Sequence, residues 1–451
     1  MIASSTANRS YWALKAPDRE PAEPAAGPLS ADVAIVGAGL TGLSTAWHLK
    51  QLRPDADVVL LEAETVGNGA SGRNSGWVMP HLGLDPAALK LVYGAERTRA
   101  ALEFAYAACD YVEELVGELA LDCDYRRHGY TLVAVDEAGR EELDATLKLY
   151  RDLGLGDKLE PLPAEEVGAH YGSPLLVAGV REPAGALLDP MRLVQGWERR
   201  VSDAGVRLHE RSPVLRIEQA AGCRTLTTPT ATVDAKQVVL ATNAYTQTIA
   251  GLDRGLRLGQ APLYVYGAMT EPLSDELWAE LGWERRDAIK TVLSMPHIFH
   301  PMPDGRIHLA YEVHVDWPAR AASDFRVEFA REAERQLHAL FPPLRDVRIE
   351  YHWGGPVSLT LDLVPHIGIT PDRSLAYAFG WWGHGVSVTQ LTGKLLAEMV
   401  TGAGDEVKRP WFARRRSLPW PTAGSARRIV GPLIGGQRLM HRRRLRGSPL
   451  A

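Results

Sequence analysis

The sequence predicts an α/β protein in which a domain with a parallel sheet is interleaved with a second, α+β domain built on antiparallel strands. Near the N-terminus, an apolar β-branched run leads through a glycine turn into a helical pattern and a second strand, the order of a β-α-β unit. Further along, residues 256–350 contain strands of alternating pattern and an Asp304-Gly305 pair that favours a hairpin. The length of 451 residues suits two domains better than one core.

The β-α-β unit is encoded by "ADVAIVGAGLTGLSTAWHLKQLRPDADVVLLEAE", with a first strand at 33–36. In the turn that follows, Gly37 permits the bend, Gly39 lets the backbone approach a pyrophosphate, and Gly42 lets the helix pack close to the strand. The helix N-terminus offers free N–H groups to phosphates, and Glu62 at the end of the second strand can accept both hydroxyls of a ribose. This pattern predicts dinucleotide binding; the alternative is a glycine-rich turn in an unrelated α/β unit.

A second glycine-rich segment, "VGNGASGRNSGWVMPHLG" (66–83), follows shortly after Glu62, the residue expected to bind the ribose. A nicotinamide dehydrogenase would continue there with further short β-α units. A long loop with few side chains leaves room for a flat ring system and can line it with backbone N–H groups. The segment therefore favours FAD over NAD as the dinucleotide.

Composition and charge exclude several classes of protein. Three cysteines without regular spacing argue against a disulfide framework or a structural zinc site and fit a reducing compartment. No apolar run approaches the roughly 20 residues needed to span a bilayer, and the N-terminus lacks a secretory apolar region. We therefore expect a cytoplasmic protein, and a net charge of −5 argues against a nucleic-acid partner.

The C-terminal tail, residues 403–451, has the opposite charge to the rest of the protein. It holds twelve Lys and Arg against two Asp and Glu, a balance of +10, so the first 402 residues carry −15. The tail either folds back on the acidic body or contacts an anionic membrane surface or a protein partner. Gly431, Pro432, Gly435 and Gly436 argue against a continuous helix in it, and we favour folding back.

Four motifs together resemble the FAD-dependent amine and amino-acid oxidases of the D-amino-acid oxidase superfamily, which includes γ-glutamylputrescine oxidase, glycine oxidase and sarcosine oxidase. They are "GAGLTGLSTAWHL", "LEAETVGNGASGRNSGW", "VVLATNAYT" and "GWWGHGVSVTQLTGKLLAEMV". The resemblance covers about residues 10–402 and implies a Rossmann-like FAD-binding domain of the glutathione-reductase type with an interleaved α+β substrate domain. The expected division is an arm at 1–30, an FAD-binding domain at 31–84, 186–255 and 351–402, a substrate domain at 85–185 and 256–350, and the tail.

The resemblance also implies the residues that hold FAD. In the family, the N-terminus of the helix after "GWWGHG" points at N1 and the C2 carbonyl of the flavin, where its dipole stabilises the reduced anion. Sarcosine-type relatives attach flavin through a Cys near "YHWGGPVSLTLDLVPHIG"; no Cys stands here, so we expect non-covalent FAD. The expected cofactor-binding residues are Gly37, Ala38, Gly39, Leu40, Thr41, Gly42, Glu62, Ala63, Gly69, Ser71, Gly72, Arg73, Asn74, Ser75, Val214, Ala241, Thr242, Asn243, Gly355, Gly383, His384, Gly385 and Val386.

The candidate catalytic residues are fewer. Tyr264 and Tyr266 alternate on one strand where relatives place pocket aromatics, although sheet packing also explains them. His384 is either a general base or a residue of the flavin loop. The candidates for the substrate pocket are His300, Tyr311, which stands where relatives show Gly, and Trp382, which replaces a Ser of the family loop. His297 and His300 form an HxxH pair without a third ligand, so no metal site is expected.

The activity implied by the resemblance is oxidation of a C–N bond in a small amine or amino acid. Hydride moves to flavin N5, the imine hydrolyses, and O2 reoxidises the flavin to give H2O2. An alternative is a dehydrogenase that passes electrons to a quinone or protein acceptor, since Ser387 stands where some sarcosine-type oxidases carry an oxygen-activating Lys. A third possibility is a flavin-binding regulatory protein without turnover.

Overall fold

The computed structural model of the protein describes residues 9–315, 327–403, 409–413, 415–422 and 424–450. The strands are β1 (Gly27–Val36), β2 (Val58–Leu61), β3 (Trp77–Val78), β4 (Tyr130–Ala134), β5 (Glu160–Leu162), β6 (Ala178–Glu182), β7 (Ala186–Leu187), β8 (Arg207–His209), β9 (Arg216–Ala220), β10 (Cys223–Thr227), β11 (Ala231–Leu240), β12 (Ala261–Thr270), β13 (Ala288–Thr291), β14 (Ile298–Pro301), β15 (Ile307–Val315), β16 (Ile349–Leu359), β17 (His366–Ile369) and β18 (Leu375–Phe379). The helices are α1 (Tyr11–Lys15), α2 (Leu40–Leu52), α3 (Pro86–Glu118), α4 (Glu137–Asp152), α5 (Ala164–Tyr171), α6 (Pro190–Asp203), α7 (Arg254–Arg257), α8 (Asp275–Leu281), α9 (Val327–Leu340), α10 (Gly385–Thr401) and α11 (Ser425–Arg444).

The first sheet has the order β17-β18-β11-β1-β2-β8, with β10 and β9 added beside β11. Its central pairs are parallel, as β1 pairs with β2 and β11, and β11 with β18. Helices α2 and α10 cover one face of the central strands, and β9, β10 and residues 249–256 cover the other. Burial of both faces explains the continuous apolar run of β1. Helix α2 follows β1 directly and packs against α10, so the N-termini of these helices come together at one edge of the sheet.

The second sheet has the order β16-β12-β15-β14-β13-β4-β6-β5, with antiparallel pairs throughout except for β13 beside β4. The mixed architecture confirms the predicted fold class, an α/β domain with an interleaved α+β unit. One face of this sheet packs on α8 and α9 in a second core, and the other packs on Trp77 and Leu187 of the two-stranded sheet β3-β7. Strand β16 belongs to this second sheet, so the expected domain boundary at residue 351 falls inside a strand.

The described part of the C-terminal tail folds back on the body, and the expectation that its glycines and Pro432 make a continuous helix improbable is wrong. Helix α11 runs through all of them. Tertiary packing outweighs the weak helix propensity, because Ala426 and Ile434 are buried beside Trp420 and Leu359. Arg444 adds ion pairs with Asp136 and Glu142 near the far end of the helix, and Leu445 and Leu450 join the second core.

Three further features of the described residues bear on the sequence predictions. Cys109, Cys123 and Cys223 are all free thiols. No described helix is both long and apolar enough to cross a bilayer. Within the described ranges, no group of three or more His, Cys, Asp or Glu side chains is arranged to hold a metal ion.

Candidate cofactor and active site

The glycine turn between β1 and α2 is packed so closely that side chains do not fit. Gly37 has φ +101°, and a Cβ there would lie 2.9 Å from the Ala241 carbonyl oxygen. A Cβ on Gly42 would overlap the carbonyl oxygen of Gly37. Helix α2 begins at Leu40, whose N–H donates to Ser71 Oγ of the glycine-rich loop at 2.9 Å. The turn therefore presents backbone N–H groups at a helix N-terminus, an anion-binding arrangement.

Glu62 stands at the end of β2, beside that turn. One carboxylate oxygen accepts a hydrogen bond from the Ala38 N–H at 2.8 Å, and the other accepts one from Glu64 N–H at 3.1 Å. Burial raises the pKa of this carboxyl above its ordinary value. The two backbone donors fix its orientation and leave lone pairs on both oxygens for the hydroxyls of a ribose.

One cavity of about 470 Å³ begins at this turn and extends to the second sheet. Nineteen of the expected cofactor-binding residues line it: Gly37, Gly39, Leu40, Thr41, Glu62, Ala63, Gly69, Ser71, Arg73, Asn74, Ser75, Val214, Ala241, Thr242, Asn243, Gly355, Gly383, Gly385 and Val386. The other four, Ala38, Gly42, Gly72 and His384, stand beside these residues without lining the cavity. The lining residues, with the glycine turn and Glu62 together at one end, fit FAD.

The glycine-rich loop forms one wall of the cavity and is held by its own polar side chains. Asn74 donates to the carbonyls of Ala70 and Ser71 at 3.0 and 2.8 Å, and its Oδ1 accepts from the N–H of Gly76 at 2.8 Å. Arg73 donates to the carbonyl oxygens of Asn68 and Gly354 at 2.6 and 3.0 Å. These side chains keep an otherwise flexible loop in one conformation, which is the condition for a preorganised binding site.

The N-terminal arm also holds this loop, a role that the sequence analysis missed. Ser10 Oγ donates to the Gly72 carbonyl at 2.6 Å, and Trp12 Nε1 donates to the Asn74 carbonyl at 2.8 Å. Tyr11 and Trp12 are both buried, although they precede the first strand by many residues. The adjacent aromatic pair Tyr11-Trp12 was the available signal, since exposed arms rarely carry two large aromatic residues.

At the other end of the cavity, α10 begins with Gly385 and Val386 among the lining residues. His384 precedes the helix, and its Nδ1–H donates to the Gly83 carbonyl at 3.1 Å. Burial, followed by the nearby charge of Lys290, lowers the pKa of His384 to about 4. A neutral His384 therefore shapes the loop, and the positive end of the α10 dipole points at the cavity.

The candidate catalytic and pocket residues differ in whether they line the cavity. Tyr264 and Tyr266 are both buried in the second core, and Tyr266 is also among the residues that line the cavity. His300 is buried on β14, with its Nδ1 3.1 Å from the Ser75 carbonyl. Trp382 donates from Nε1 to Thr360 Oγ1 at 3.0 Å and does not line the cavity, whose wall there is formed by Trp381. The backbone of Tyr311 pairs with Tyr266, and its side chain lies outside the described part of the structure.

His308 is a cavity residue that the sequence analysis missed. It lies on β15 with Ala310, and the alternation of "RIHLA" was the signal that His308 and Ala310 share a face. Burial lowers the pKa of His308 well below its usual value, so the imidazole is neutral. Its Nδ1 is buried without a hydrogen-bond partner among the described residues, and its ring lies 5.5 Å from that of His300.

Comparisons with known proteins identify the family of the chain. A family model described as FAD dependent oxidoreductase (DAO) matches residues 32–399. The γ-glutamylputrescine oxidoreductase of Escherichia coli K12 is 29% identical over 412 residues, covering 91% of this chain and 93% of that protein. The glycine oxidase of Bacillus licheniformis is 25% identical over 395 residues, covering 84% and 95%. The crystal structure of glycine oxidase from Geobacillus kaustophilus shares the fold with a TM-score of 0.73 at 21% identity, covering 86% of this chain and all of that one.

The matched residues 32–399 contain the glycine turn, Glu62, the glycine-rich loop and the α10 N-terminus, and they span most of the chain. The chain therefore belongs to the family of FAD-dependent oxidoreductases, and FAD is its cofactor.

Proposed function

We propose that the protein oxidises a C–N bond of a small amine or amino acid by hydride transfer to FAD N5, giving an imine that hydrolyses. The observation that carries this proposal is that one cavity joins the dinucleotide end, at Glu62, to the face of the second sheet, at Tyr266 and His308. The names of the relatives, γ-glutamylputrescine oxidoreductase and glycine oxidase, support an amine or amino acid as the substrate. The chemistry supplied by bound FAD is two-electron acceptance.

The protein's own residues bind and orient the substrate in this scheme. Apolar groups of Val265, Ala310 and Trp381 line the end of the cavity near the second sheet and exclude water from the reacting carbon. The neutral imidazole of His308 forms part of the cavity wall at this end. Among the described lining residues, the carboxylates are Glu62 and Glu64 at the ribose end. The scheme requires no carboxylate base when the amine arrives deprotonated.

We propose that FAD is held non-covalently. No cysteine is among the described residues that line the cavity, and β16 brings Gly355 and Val357 to it instead of a thiol. Acid precipitation of the purified protein should leave the yellow cofactor in the supernatant. Flavin retained in the pellet would contradict non-covalent attachment.

The electron acceptor that we propose is O2, reduced to H2O2. One observation favours a different acceptor, a quinone or an electron-transfer protein: Ser387 is buried, and its Oγ donates to the Met79 carbonyl at 2.9 Å. No cationic side chain therefore occupies that position to assist oxygen reduction. The two candidates share the amine half-reaction and differ only in how the flavin is reoxidised.

An anaerobic screen tests both the oxidation of the amine and the reoxidation of the flavin. Purified flavoprotein is mixed with amines, amino acids and N-methyl compounds, and bleaching of the flavin absorbance is followed. Air is then admitted, and the rates of reoxidation and peroxide formation are measured. Bleaching with rapid peroxide formation supports the oxidase, and bleaching with slow reoxidation supports the dehydrogenase. A flavin that no compound in the screen reduces would contradict the proposed amine oxidation and favour a non-catalytic flavoprotein.

A further inference from the structure

Among the described residues, helix α11 packs on the body by one face. Ala426 and Ile434 are buried in a core with Ala261 of β12 and Leu359 of β16. From the same side, Arg438 donates to a backbone carbonyl of β15 at 3.0 Å. The outer face of the helix is turned away from the body, and none of the described residues that line the cavity belongs to it.

That outer face carries an exposed apolar stripe, formed by Ile429, Leu433 and Met440. Their side chains are 42%, 64% and 57% exposed. Spacings of four and seven residues place all three on one side of the helix. Leu439, which is also exposed, adjoins them. These are four of the twelve large apolar side chains exposed in the described ranges, so the stripe is a concentrated patch rather than scattered exposure.

The same face is strongly basic. Residues 424–450 hold seven Arg and no Asp or Glu. Arg442 and Arg443 follow Leu439 by three and four residues, and Arg428 precedes it by eleven, so all three lie along the apolar stripe. They are exposed and make no hydrogen bond or ion pair with any residue that the structure describes. Arg444, on the inner side, is instead paired with acids of the body.

The combination of arginine and apolar groups decides which partner fits this face. An anionic bilayer accepts both, because arginine stems lie along apolar surface while the guanidinium groups reach lipid phosphates. A second copy of α11 packed face to face does not fit, since neither helix has an acid and the arginines would oppose each other. A nucleic acid would pair with the arginines but leave the apolar stripe in water.

We propose that α11 is a docking surface for an anionic membrane. The helix has 20 residues and is about 30 Å long, and it lies flat on the bilayer. Ile429, Leu433 and Met440 enter the boundary between headgroups and acyl chains, and the arginines contact the lipid phosphates. This inference does not rest on the proposed amine oxidation.

Docking by α11 would bring one wall of the flavin cavity toward the membrane. The helix packs on β12, β15 and β16, and these strands supply Tyr266, Ala310 and Gly355 to the cavity lining. Trp382 packs on the same core as Ile434 and is the chain neighbour of a lining residue. This position suits a quinone dissolved in the lipid as the electron acceptor, the alternative to O2.

Cosedimentation of the FAD-loaded protein with lipid vesicles tests the docking surface without turnover. The probes are vesicles of phosphatidylcholine alone and of phosphatidylcholine mixed with phosphatidylglycerol, each at low and high salt. At low salt, wild type should partition about tenfold more strongly onto the anionic vesicles, and high salt should reduce that binding about fivefold or more.

A first double variant tests the charge. Arg442→Gln with Arg443→Gln should lower the partition coefficient on anionic vesicles about twentyfold, because two basic residues near the lipid surface are lost. Arg345→Gln with Arg348→Gln changes the net charge equally at exposed positions outside α11 and should bind like wild type.

A second double variant tests the apolar stripe. Leu433→Ser with Met440→Ser should lower the partition coefficient about tenfold, because polar side chains no longer enter the interface. Leu91→Ser with Val92→Ser, at exposed apolar positions of α3, is the matched control. Should the α11 variant fail to retain FAD, Leu433→Ala with Met440→Ala replaces it in the same comparison.

The outcomes separate the membrane from other partners and from the proposed reaction. Losses confined to the two α11 variants support the membrane surface, whether or not an amine bleaches the flavin. Wild type that binds neither kind of vesicle, or binds both alike at each salt concentration, would overturn it, as would equal losses in the control variants. Light scattering without vesicles checks self-association: a dimer that dissociates in Leu433→Ser with Met440→Ser would assign the face to a second copy and overturn the membrane surface.

Discussion

The indole Nε1 of Trp12 donates to the carbonyl of Asn74 at 2.8 Å. This bond joins the N-terminal arm to the glycine-rich loop at 66–83, across 62 residues of chain. Asn74 lines the cavity and orders the loop through its own side chain. Trp12 also contacts the ring of His308 at a centroid distance of 6.0 Å. The arm therefore positions two walls of the site, the loop and the second sheet.

Trp12→Phe should weaken FAD binding while leaving the protein folded, because the ring remains and the hydrogen bond is lost. A buried hydrogen bond contributes about 1 kcal/mol, so the Kd for FAD should rise roughly fivefold. The measurement is a fluorescence titration of apoprotein with FAD. Leu14→Ala, in the same helix but at the surface, is the control and should bind like wild type. Equal affinity in Trp12→Phe and Leu14→Ala would show that the arm does not position the loop.

Glu62→Ala should weaken FAD binding more strongly, because two charge-assisted hydrogen bonds to the ribose would be lost. Each contributes about 1.5–3 kcal/mol, which predicts at least a hundredfold rise in the Kd. Glu218→Ala, on an exposed strand of the same sheet, provides the control for net charge. The same titration measures both, and an unchanged Kd in Glu62→Ala would remove Glu62 from the cofactor site.

Gly383→Val should impair flavin binding or flavin reduction, since Gly383 lines the cavity and has φ +87°. Gly222→Val is a matched control, because Gly222 has φ +75° and open space around it and lies in the turn between β9 and β10, outside the residues that line the cavity. The backbone strain is similar in the two variants, so a difference reports on the cavity. Flavin content and the anaerobic bleaching rate are the readouts. The placement of Gly383 is contradicted when both variants behave alike.

Glu182→Gln should change how stability depends on pH. Burial raises the pKa of Glu182 to about 7, above the ordinary value of 4.5, although Tyr106 donates a hydrogen bond to it. Between pH 4.5 and 7 the folded state binds more protons at this group than the unfolded state, so its contribution to stability falls as pH rises. Relative to wild type, Glu182→Gln should therefore gain roughly 3 kcal/mol in unfolding free energy between pH 4.5 and 7.

Urea unfolding at several pH values measures this difference. Glu118→Gln, an exposed carboxyl at the end of α3, is the control and should follow wild type at each pH. Parallel curves for Glu182→Gln and wild type would mean that Glu182 is not protonated in the folded protein at pH 6.

Ile434→Ala should destabilise the protein by about 2–4 kcal/mol, because its side chain is buried under α11 beside Trp420. The adjacent Leu433 is 64% exposed, and Leu433→Ala should change stability by less than about 0.5 kcal/mol. Thermal unfolding compares the two variants. Similar melting temperatures for both would mean that α11 does not pack on the body in solution.

The local motifs could be identified from the sequence because each one depends on a short stretch of chain. The turn at Gly37, Gly39 and Gly42 and the acid at Glu62 belong to a single β-α-β unit, whose physical requirements are met within about 25 residues. The glycine content of the following loop indicated the flavin for the same reason: a missing side chain is visible in the sequence itself.

Contacts between segments that are distant in the chain could not be predicted from the sequence. Trp382 was expected in the pocket wall, yet its indole turns to Thr360, and Trp381 takes that place because the backbone at Trp382 has φ +54°. Nothing in the sequence distinguishes the two tryptophans. The continuous helix α11 was likewise excluded by local propensity, and burial of Ile434 decided otherwise.

The sequence by itself determined the family, the cofactor and the residues at the ribose and phosphate end, because local backbone geometry restricts which residues are tolerated there. Only the tertiary structure decided which residues meet at the other end of the cavity, where His308 and Tyr266 come from different strands of the second sheet. Side-chain position there depends on strand register and on packing between the two sheets, and neither is encoded by any single segment.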